Sequence, residues 1–536
     1  MRVFSYIPYA YKGVLITVEA DIRRSIPGMD VTGLPGGAVR ESGERVRAAF
    51  RNCGFVFPQD RVLINLAPAG VKKDGAGLDL PIALAVMSAA SMTPKSLETE
   101  SVMAIGELEL SGAVRGCKGA LAAVACGLRA GINLFIVPGE NLCEALVLAK
   151  DGVCGASSLS EVLEDLHFYA ENSAFPKHDE NSCAKDKNAQ NSARPHFFGD
   201  FADVRGEASY KRAMEIAAAG GHNLLAFGPP GCGKTMLARR LPSITAPLTT
   251  EEAMEVTKLH SLAGELGVND GVLIRNAPFR SPHHSASMEG VLGGGKSVRP
   301  GEISLSHYGA LFLDEAPEFK VNVLQSLREP LEDKVVTISR AEGPVRLPAD
   351  FQLIMAANPC PCGRLGINSA ASGGRGEGGC FCSGSEIDRY WKKFGGALLD
   401  RIEIRTPMRS VFTPESRDNM AVENSADIRK RVVKAVELQR ERFKLLPEEE
   451  RPRRNAGISA AKIKDFCPLS ANAEAALKKA VEKLKFSGRA YYGTLRVART
   501  IADLDGAQTI ETVHILEAVH HRRYGDNPYD VFKAED

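Results

Sequence analysis

The fold of this chain is decided by the stretch Phe227-Gly228-Pro229-Pro230-Gly231-Cys232-Gly233-Lys234-Thr235-Met236-Leu237-Ala238. It follows the apolar run 223–227, which is typical of a buried strand, and it leads into a helical pattern that begins at Thr235. Strand, glycine-rich turn and helix in this order form a phosphate-binding loop. A chance glycine-rich turn is the alternative, and the complete G-x-x-x-x-G-K-T spacing argues against it.

The residue types in this loop match the chemistry of phosphate binding. Gly228, Gly231 and Gly233 let backbone amides turn inward around phosphate oxygens without a Cβ in the way. Lys234 supplies a positive charge for the β- and γ-phosphates, and the Thr235 hydroxyl is placed for Mg²⁺. We therefore expect ATP with Mg²⁺ at this turn.

Length and composition limit the classes of protein to which the chain can belong. With 536 residues we expect about three domains, and 44% hydrophobic residues, 25% charged residues and a net charge of +1 are typical of a soluble globular protein. Any nucleic-acid surface must therefore be local. No apolar run is long enough to span a membrane and the start lacks a signal-peptide pattern, so we expect a cytoplasmic protein without a membrane partner, in which the 12 cysteines are reduced thiols or metal ligands.

Two further apolar runs end in residues suited to phosphoryl transfer. The run 310–313 leads to Asp314, which can organise the Mg²⁺ water shell, and to Glu315, which can polarise the attacking water. A second run, 351–357, ends at Asn358, which can orient that water; a turn asparagine before proline is the alternative. The residues expected to hold ATP and Mg²⁺ are Gly228, Pro229, Pro230, Gly231, Cys232, Gly233, Lys234, Thr235, Met236 and Asp314, with Thr235 and Asp314 toward the metal.

Arg401 lies in the stretch Leu398-Leu399-Asp400-Arg401-Ile402, far along the chain from the phosphate loop. This distance suits an arginine finger that reaches into the site of an adjacent subunit and stabilises the charge of the transition state. Taken alone, Arg401 is equally an ordinary surface residue.

The first 170 residues form an α/β pattern of their own. A Lys-Asp-Gly turn at 73–75 before a helix, and Gly-Glu-Leu-x-Leu-x-Gly at 106–112, resemble the proteolytic domain of Lon-type proteases, which has the S5 domain 2-like fold. In that family a nucleophilic serine follows the turn, whereas Ala76, Gly77, Leu78 and Asp79 follow it here. We expect the fold without peptidase activity.

The remainder divides into three parts by composition. Residues 171–196 are polar with few aliphatic side chains, which predicts a flexible linker. The ATPase core is expected over 197–408, and 409–536 has a mostly helical pattern that predicts a small C-terminal lid domain.

Together the four motifs resemble the AAA+ ATPases: a Walker A loop, Walker B at Asp314 and Glu315, sensor 1 at Asn358 and an arginine finger at Arg401. The segments 215–225, 358–363 and 498–504 resemble the magnesium-chelatase-like branch and, within it, the ComM/YifB family. The resemblance implies a Lon-like domain, a P-loop core with a parallel sheet and a helical lid. It also implies a ring, a hexamer, that uses ATP to migrate branched DNA with recombination proteins during transformation.

Two insertions resemble those that project into the pore of related ring helicases. They cover residues 279–300, between the Walker strands, and 335–347, two alternating runs around a Glu-Gly-Pro turn. The candidate contacts to the DNA backbone are Lys296, Arg299, Arg340 and Arg346. Solvated loop charges are the alternative for each of them.

The cysteine pairs and the arginines of the lid each allow two interpretations. The pairs Cys360/Cys362 and Cys380/Cys382 bracket a loop rich in glycine and serine, and four thiolates suit a tetrahedral Zn²⁺; reduced free thiols are the alternative. In the lid, Arg489 resembles the sensor 2 arginine that reaches the γ-phosphate, with Arg496 as the second choice.

Two other functions stay open beside the DNA motor. One is a chelatase-type motor that remodels a protein partner or serves a tetrapyrrole chelatase. The other is a Lon-like peptidase, against which the missing serine argues.

Overall fold

The computed structural model describes residues 1–7, 13–73, 75–149, 151–176, 199–266, 273–295, 299–339, 344–365, 380–408 and 423–524. Over these ranges no helix is both long and apolar enough to cross a membrane. The strands are β1 Arg2–Ile7, β2 Val14–Arg23, β3 Gly28–Thr32, β4 Arg61–Ala67, β5 Ser101–Ala104, β6 Glu107–Leu108, β7 Val114–Arg115, β8 Leu134–Pro138, β9 Val153–Ala156, β10 Leu224–Phe227, β11 Phe279–Arg280, β12 Gly293–Gly294, β13 Arg299–Pro300, β14 Ala310–Leu313, β15 Val335–Ile338, β16 Val345–Pro348, β17 Gln352–Ala357 and β18 Ile404–Pro407.

The helices are α1 Gly37–Asn52, α2 Asp79–Ala89, α3 Ala120–Arg129, α4 Leu142–Leu146, α5 Leu159–Asn172, α6 Ala208–Gly220, α7 Lys234–Ala238, α8 Leu241–Ile244, α9 Thr250–Ala263, α10 Met288–Leu292, α11 Glu302–Leu305, α12 Val321–Ser326, α13 Arg328–Asp333, α14 Gly384–Lys392, α15 Gly396–Leu399, α16 Ser425–Phe443, α17 Ile463–Phe466, α18 Ala471–Leu484, α19 Gly488–Leu504 and α20 Thr512–Arg522. These elements fall into two compact units. The first lies within Met1–Pro195, Thr250–Ile274 and Ser297–Arg299, and the second within His196–Thr249, Arg275–Lys296 and Pro300–Asp536.

The first unit is built on a mixed sheet of seven strands in the order β3-β4-β2-β1-β5-β8-β9. Strand β2 runs antiparallel to both β1 and β4, whereas the other neighbours are parallel. Helix α2 is buried along most of its length, which explains its nearly continuous apolar sequence. Its first residue, Asp79, is fully buried and pairs with Arg45 of α1 at 2.7 Å from Nε to Oδ2.

Helix α9 belongs to this first unit although it follows the phosphate loop in sequence. Leu262 packs against the apolar cluster of the unit, and the Ser261 hydroxyl donates to Glu144 Oε2 at 3.0 Å. Of the predicted linker, residues 177–196 lie outside the described residues, and Phe175 just before them packs on Tyr169.

The second unit contains a sheet of five parallel strands in the order β11-β14-β17-β10-β18. All residues of β10 and β14 are buried, because helices cover both faces of a parallel sheet and only apolar side chains fit there. The predicted P-loop core with a parallel sheet is thus confirmed. Strands β14, β17 and β10 are neighbours, so the segments that follow them meet at the carboxyl edge of the sheet.

Helices from the C-terminal part pack together and against α6 of the core, as the predicted helical lid requires. A buried polar cluster joins them: Asp503 of α19 accepts hydrogen bonds from Arg499 at 3.2 Å, from Asn455 at 2.8 Å and from Arg442. His222, two residues after the end of α6, shares a hydrogen bond of 2.8 Å with Thr500. The segments 215–225 and 498–504, which carry part of the family resemblance, are therefore in contact.

Candidate nucleotide site and its arginine partners

The phosphate loop lies between β10 and α7, and its backbone requires glycine at three positions. Gly231 and Gly233 have φ of 81° and 87°, the left-handed region that side chains with a Cβ rarely adopt. At Gly228 a Cβ would lie 2.5 Å from the carbonyl oxygen of Met408. The loop can therefore close tightly and present its amides on one side.

Lys234 is held inside the loop and is only 8% exposed. Its ammonium donates to the carbonyl oxygens of Gly228 at 2.6 Å and Pro229 at 2.8 Å, and to Asn358 Oδ1 at 3.3 Å. Burial lowers the pKa of Lys234, and the carboxylates of Asp314 and Glu315 oppose that shift. The positive charge is thus fixed where the β- and γ-phosphates of a nucleotide would lie.

The metal-binding half of the site consists of one hydroxyl and one carboxylate. Thr235 Oγ1 donates to Asp314 Oδ1 at 3.1 Å, and the backbone N–H of Glu315 donates to the same oxygen at 3.1 Å. A loop hydroxyl and a strand-end aspartate are the pair that hold Mg²⁺ in P-loop enzymes. The arrangement therefore suits Mg²⁺ bound together with a nucleoside triphosphate.

Glu315 follows Asp314 with an exposed side chain and a φ of 48°, in the left-handed region. A non-glycine residue in this conformation is strained, and such strain is typical of functional sites. His284 lies beside it, with Nδ1 3.9 Å from Glu315 Oε2. No local sequence pattern predicts this contact, because it depends on the pairing of β11, which shortly precedes His284, with β14.

The other predicted loop residues surround these groups. Cys232 is half-buried with its sulfur 3.7 Å from the Lys234 ammonium, and Met236 is 41% exposed. Pro230 faces Gly363, whose Cβ, if present, would lie 2.9 Å from Pro230 Cδ. The segment after Asn358 therefore packs directly on the phosphate loop.

Arg401 lies at the opposite ends of the strands, which form the amino edge of the sheet. It precedes β18, whereas the phosphate loop follows β10, and these two strands are parallel neighbours. Asn223, just before β10, donates its side-chain amide to the Arg401 carbonyl at 2.9 Å. A strand of four residues spans about 13 Å, so Arg401 lies at least that far from the phosphate loop of its own chain.

Glu332 of α13 joins the two predicted arginines. It forms an ion pair with Arg401 and another with Arg489 from the start of α19. With Glu403 and Arg496 these three residues line a cavity of about 350 Å³. The sequence interpretation missed Glu332, because an acidic residue within a charged helical segment carries no distinguishing pattern.

Arg496, the second choice for sensor 2, has a different environment from Arg489. Burial lowers the pKa of Arg496, opposed by the nearby carboxylate of Glu403. Its Nε has no hydrogen-bond partner among the residues that the structure describes. Arg489, in contrast, keeps 42% of its side chain exposed.

Comparison with known proteins gives matches along almost the whole chain. The families described as "Magnesium chelatase, subunit ChlI", "Subunit ChlI of Mg-chelatase" and "Magnesium chelatase, subunit ChlI C-terminal" match residues 200–415, 18–141 and 422–522. The uncharacterized protein YifB of Salmonella typhimurium is 40% identical over 512 residues, 95% of this chain and 94% of that protein. The competence protein ComM of Haemophilus influenzae is 36% identical over 524 residues, 97% of each chain.

The chain belongs to the ComM/YifB family. As a member of this family it is a ComM-like AAA+ protein of the magnesium-chelatase type. Membership of the family supports ATPase activity with ATP and Mg²⁺. A Lon protease of Trichlorobacter lovleyi is 26% identical over 136 residues, 24% of this chain and 16% of the protease. This similarity agrees with the Lon-like fold predicted for the N-terminal part.

Two of the four residues predicted to contact DNA, Arg299 and Arg346, lie in the part of the chain that the structure describes. Strands β15 and β16 form the predicted antiparallel hairpin, in which exposed Arg346 lies opposite Thr337 while Val336 and Leu347 are buried. Arg299 is exposed on β13. Lys296 and Arg340 lie outside the described residues.

The structure brings the four predicted thiol ligands together. The Sγ atoms of Cys360, Cys362, Cys380 and Cys382 all lie within 4.8 Å of one another. Cys360 is buried, Cys362 is exposed, and the other two are half-buried. A cluster of this kind can hold a metal ion.

Proposed function

We propose that this chain is an ATP-hydrolysing AAA+ motor that assembles into a hexameric ring and moves along DNA in the cytoplasm. In this proposal the residues of the phosphate loop bind ATP, and Thr235 and Asp314 hold Mg²⁺. Glu315 activates water, and Asn358 orients it. The observation that carries the proposal is the position of Arg401 and Arg489 at the sheet edge opposite to the phosphate loop.

Hydrolysis then requires two subunits. Because Arg401 cannot approach its own phosphate loop across the sheet, a neighbouring subunit must present its nucleotide to it. The same reasoning applies to Arg489, which shares Glu332 with Arg401. The γ-phosphate of the neighbour takes the place of the Glu332 carboxylate as the anion between the two guanidinium groups, and the arginines stabilise the charge of the transition state.

The DNA part of the proposal is supported by the relative named competence protein ComM and by the exposed arginine on the hairpin. Lys296, Arg299, Arg340 and Arg346 contact backbone phosphates, so binding weakens as salt rises. Hydrolysis moves these loops along the strand. The motor migrates branched recombination intermediates, together with recombination proteins, during natural transformation.

The deciding experiment measures ATP hydrolysis by the purified chain without DNA, with single-stranded DNA and with branched DNA. We expect hydrolysis to rise with DNA and to rise more than linearly with protein concentration, because the site forms between subunits. The variant Glu315→Gln is the control and should bind ATP without hydrolysing it. Hydrolysis that is indifferent to DNA contradicts the DNA motor.

A chelatase-type motor that remodels a protein or a tetrapyrrole-chelatase partner is the second candidate. The matches to the magnesium chelatase subunit ChlI favour it. It predicts the same dependence on assembly but no stimulation by either DNA. The DNA comparison therefore separates the two candidates.

A further inference from the structure

Four sulfur atoms next to Asn358 have the spacing of a tetrahedral thiolate site. Cys360 Sγ lies 3.4 Å from Cys362 Sγ and 3.6 Å from Cys380 Sγ, and Cys362 Sγ lies 3.6 Å from Cys380 Sγ. In a tetrahedral Zn²⁺ site with bonds of about 2.3 Å, the sulfur atoms are about 3.8 Å apart. We propose that Cys360, Cys362, Cys380 and Cys382 bind one Zn²⁺ and that this metal positions Asn358.

The donor set selects the metal. Four thiolates without an oxygen ligand favour zinc over magnesium or calcium, and four protein ligands leave no open position for catalysis. The site is therefore structural.

The surroundings show what the metal would hold in place. Cys360 follows Asn358 and Pro359 directly at the end of β17, and the Pro359 carbonyl accepts a hydrogen bond of 3.0 Å from Trp391 Nε1 of α14. The ring of Trp391 stands edge-on to Phe227, the last residue of β10, at 5.5 Å between centroids. Cys382 comes just before α14. Zinc would thus fasten the segment after β17 to the start of α14, beside the phosphate loop.

This position gives the metal an indirect effect on catalysis, an effect that rests on the proposed ATPase function. Asn358 Oδ1 accepts from the Lys234 ammonium at 3.3 Å, and Gly363 packs on Pro230 of the loop. Without zinc, the segment from Asn358 to Gly363 loses the metal bridge that would tie it to the start of α14. Asn358 then spends less time in the geometry that orients water, whereas ATP remains held by the loop.

Metal analysis of the full-length chain, purified without chelators, tests the zinc site. We expect one zinc per chain in the natural protein, much less in Cys362→Ser, and an unchanged content in Cys126→Ser, a half-buried thiol outside the cluster. Replacement of zinc by Co²⁺ should give the absorption bands of tetrahedral thiolate coordination. Natural protein that carries no zinc and gives no such bands overturns the site.

Steady-state kinetics tests the positioning role. For Cys362→Ser we expect kcat to fall about tenfold with KM for ATP unchanged. This is less than the ~10²–10⁴-fold contribution of one catalytic group, because Asn358 is still present and is only less often in its working geometry. Loss of zinc with kcat and KM both unchanged overturns the positioning role while the metal site stands. A natural protein with zinc but without ATPase activity contradicts the proposed function, because the metal content is measured without ATP.

Discussion

The two edges of the parallel sheet in the second unit are built in different ways. At the carboxyl edge, Lys234, Asp314 and Asn358 each lie within seven residues of the end of a buried strand, and they contact one another directly or through Thr235. At the amino edge, the group of Arg401, Arg489 and Glu332 comes from three elements far apart in sequence. In the proposed motor the first edge binds the nucleotide, and the arginines of the second edge lie too far away to reach it within the same chain. The difference supports the proposal that one hydrolytic site is divided between two subunits.

A mixing experiment gives the strongest test of the difference between the two edges. Lys234→Ala removes the charge that is proposed to bind phosphate at one edge, and Arg401→Ala removes the proposed arginine finger at the other. We expect each variant to lose at least about 10³-fold in ATP hydrolysis, the range for an arginine finger. In an equal mixture, roughly a quarter of the interfaces pair an intact loop with an intact arginine, so activity should return to roughly that fraction of the natural rate.

The control for mixing pairs two defects at the same edge. In a mixture of Lys234→Ala and Glu315→Gln no subunit has both Lys234 and Glu315 at its carboxyl edge, so the mixture should remain inactive. If this pair recovers as well as the first pair, exchange between subunits does not explain the recovery. If neither pair recovers, the site is not divided between subunits.

The carboxyl edge was predictable from sequence because its chemistry is tied to strand ends. A buried apolar run fixes where a strand stops, and the polar residue that follows is aimed at the edge of the sheet. The hairpin of Val336 and Leu347 and the gathering of the cysteine pairs were predictable for a similar local reason. The contacts of Glu332 and His284 were not predictable. They depend on which helix and which strand pack beside each residue, and the local sequence does not indicate that packing.

Asp503→Ala tests whether the packing of the C-terminal helices stabilises the group of charged residues at the amino edge. This carboxylate is 2% exposed and accepts from Arg442, Arg499 and Asn455. Its loss leaves two partly or fully buried guanidinium groups uncompensated, so we expect the free energy of unfolding to fall by about 3–5 kcal/mol. Urea unfolding followed by circular dichroism measures this loss. Asp505→Ala, at a carboxylate that is 49% exposed, should cost at most about 1 kcal/mol.

Asp503→Ala also separates the two edges functionally. The folded fraction should still bind a fluorescent ATP analogue, because the phosphate loop does not depend on α19. Its hydrolysis should fall, because α19 carries Arg489. Equal losses in binding and hydrolysis would mean that the two edges are not independent.

Arg489→Gln should have a smaller effect that is confined to chemistry. A hydrogen bond to a charged group contributes about 1.5–3 kcal/mol, so we expect kcat to fall about 10- to 150-fold with little change in melting temperature. Arg496→Gln is the matched variant on the same helix. Because Arg496 is buried against Glu403, its replacement should lower the melting temperature while the folded protein keeps its kcat. The reverse pattern would make Arg496 the residue that reaches the phosphate.

His284→Ala should give the smallest effect, and it acts at the carboxyl edge. His284 Nδ1 lies 3.9 Å from Glu315 Oε2, and the two side chains are 40% and 58% exposed. An exposed pair of this kind contributes at most about 1 kcal/mol, so its loss can change the rate by no more than about fivefold. We expect hydrolysis without DNA to rise within that limit, because a carboxylate freed from the imidazole polarises water more readily. His283→Ala, at the neighbouring ring, is the control and should leave the rate unchanged. A fall in rate with His284→Ala alone would instead mean that the imidazole holds Glu315 in its working position, and the left-handed backbone at Glu315 would then depend on that contact.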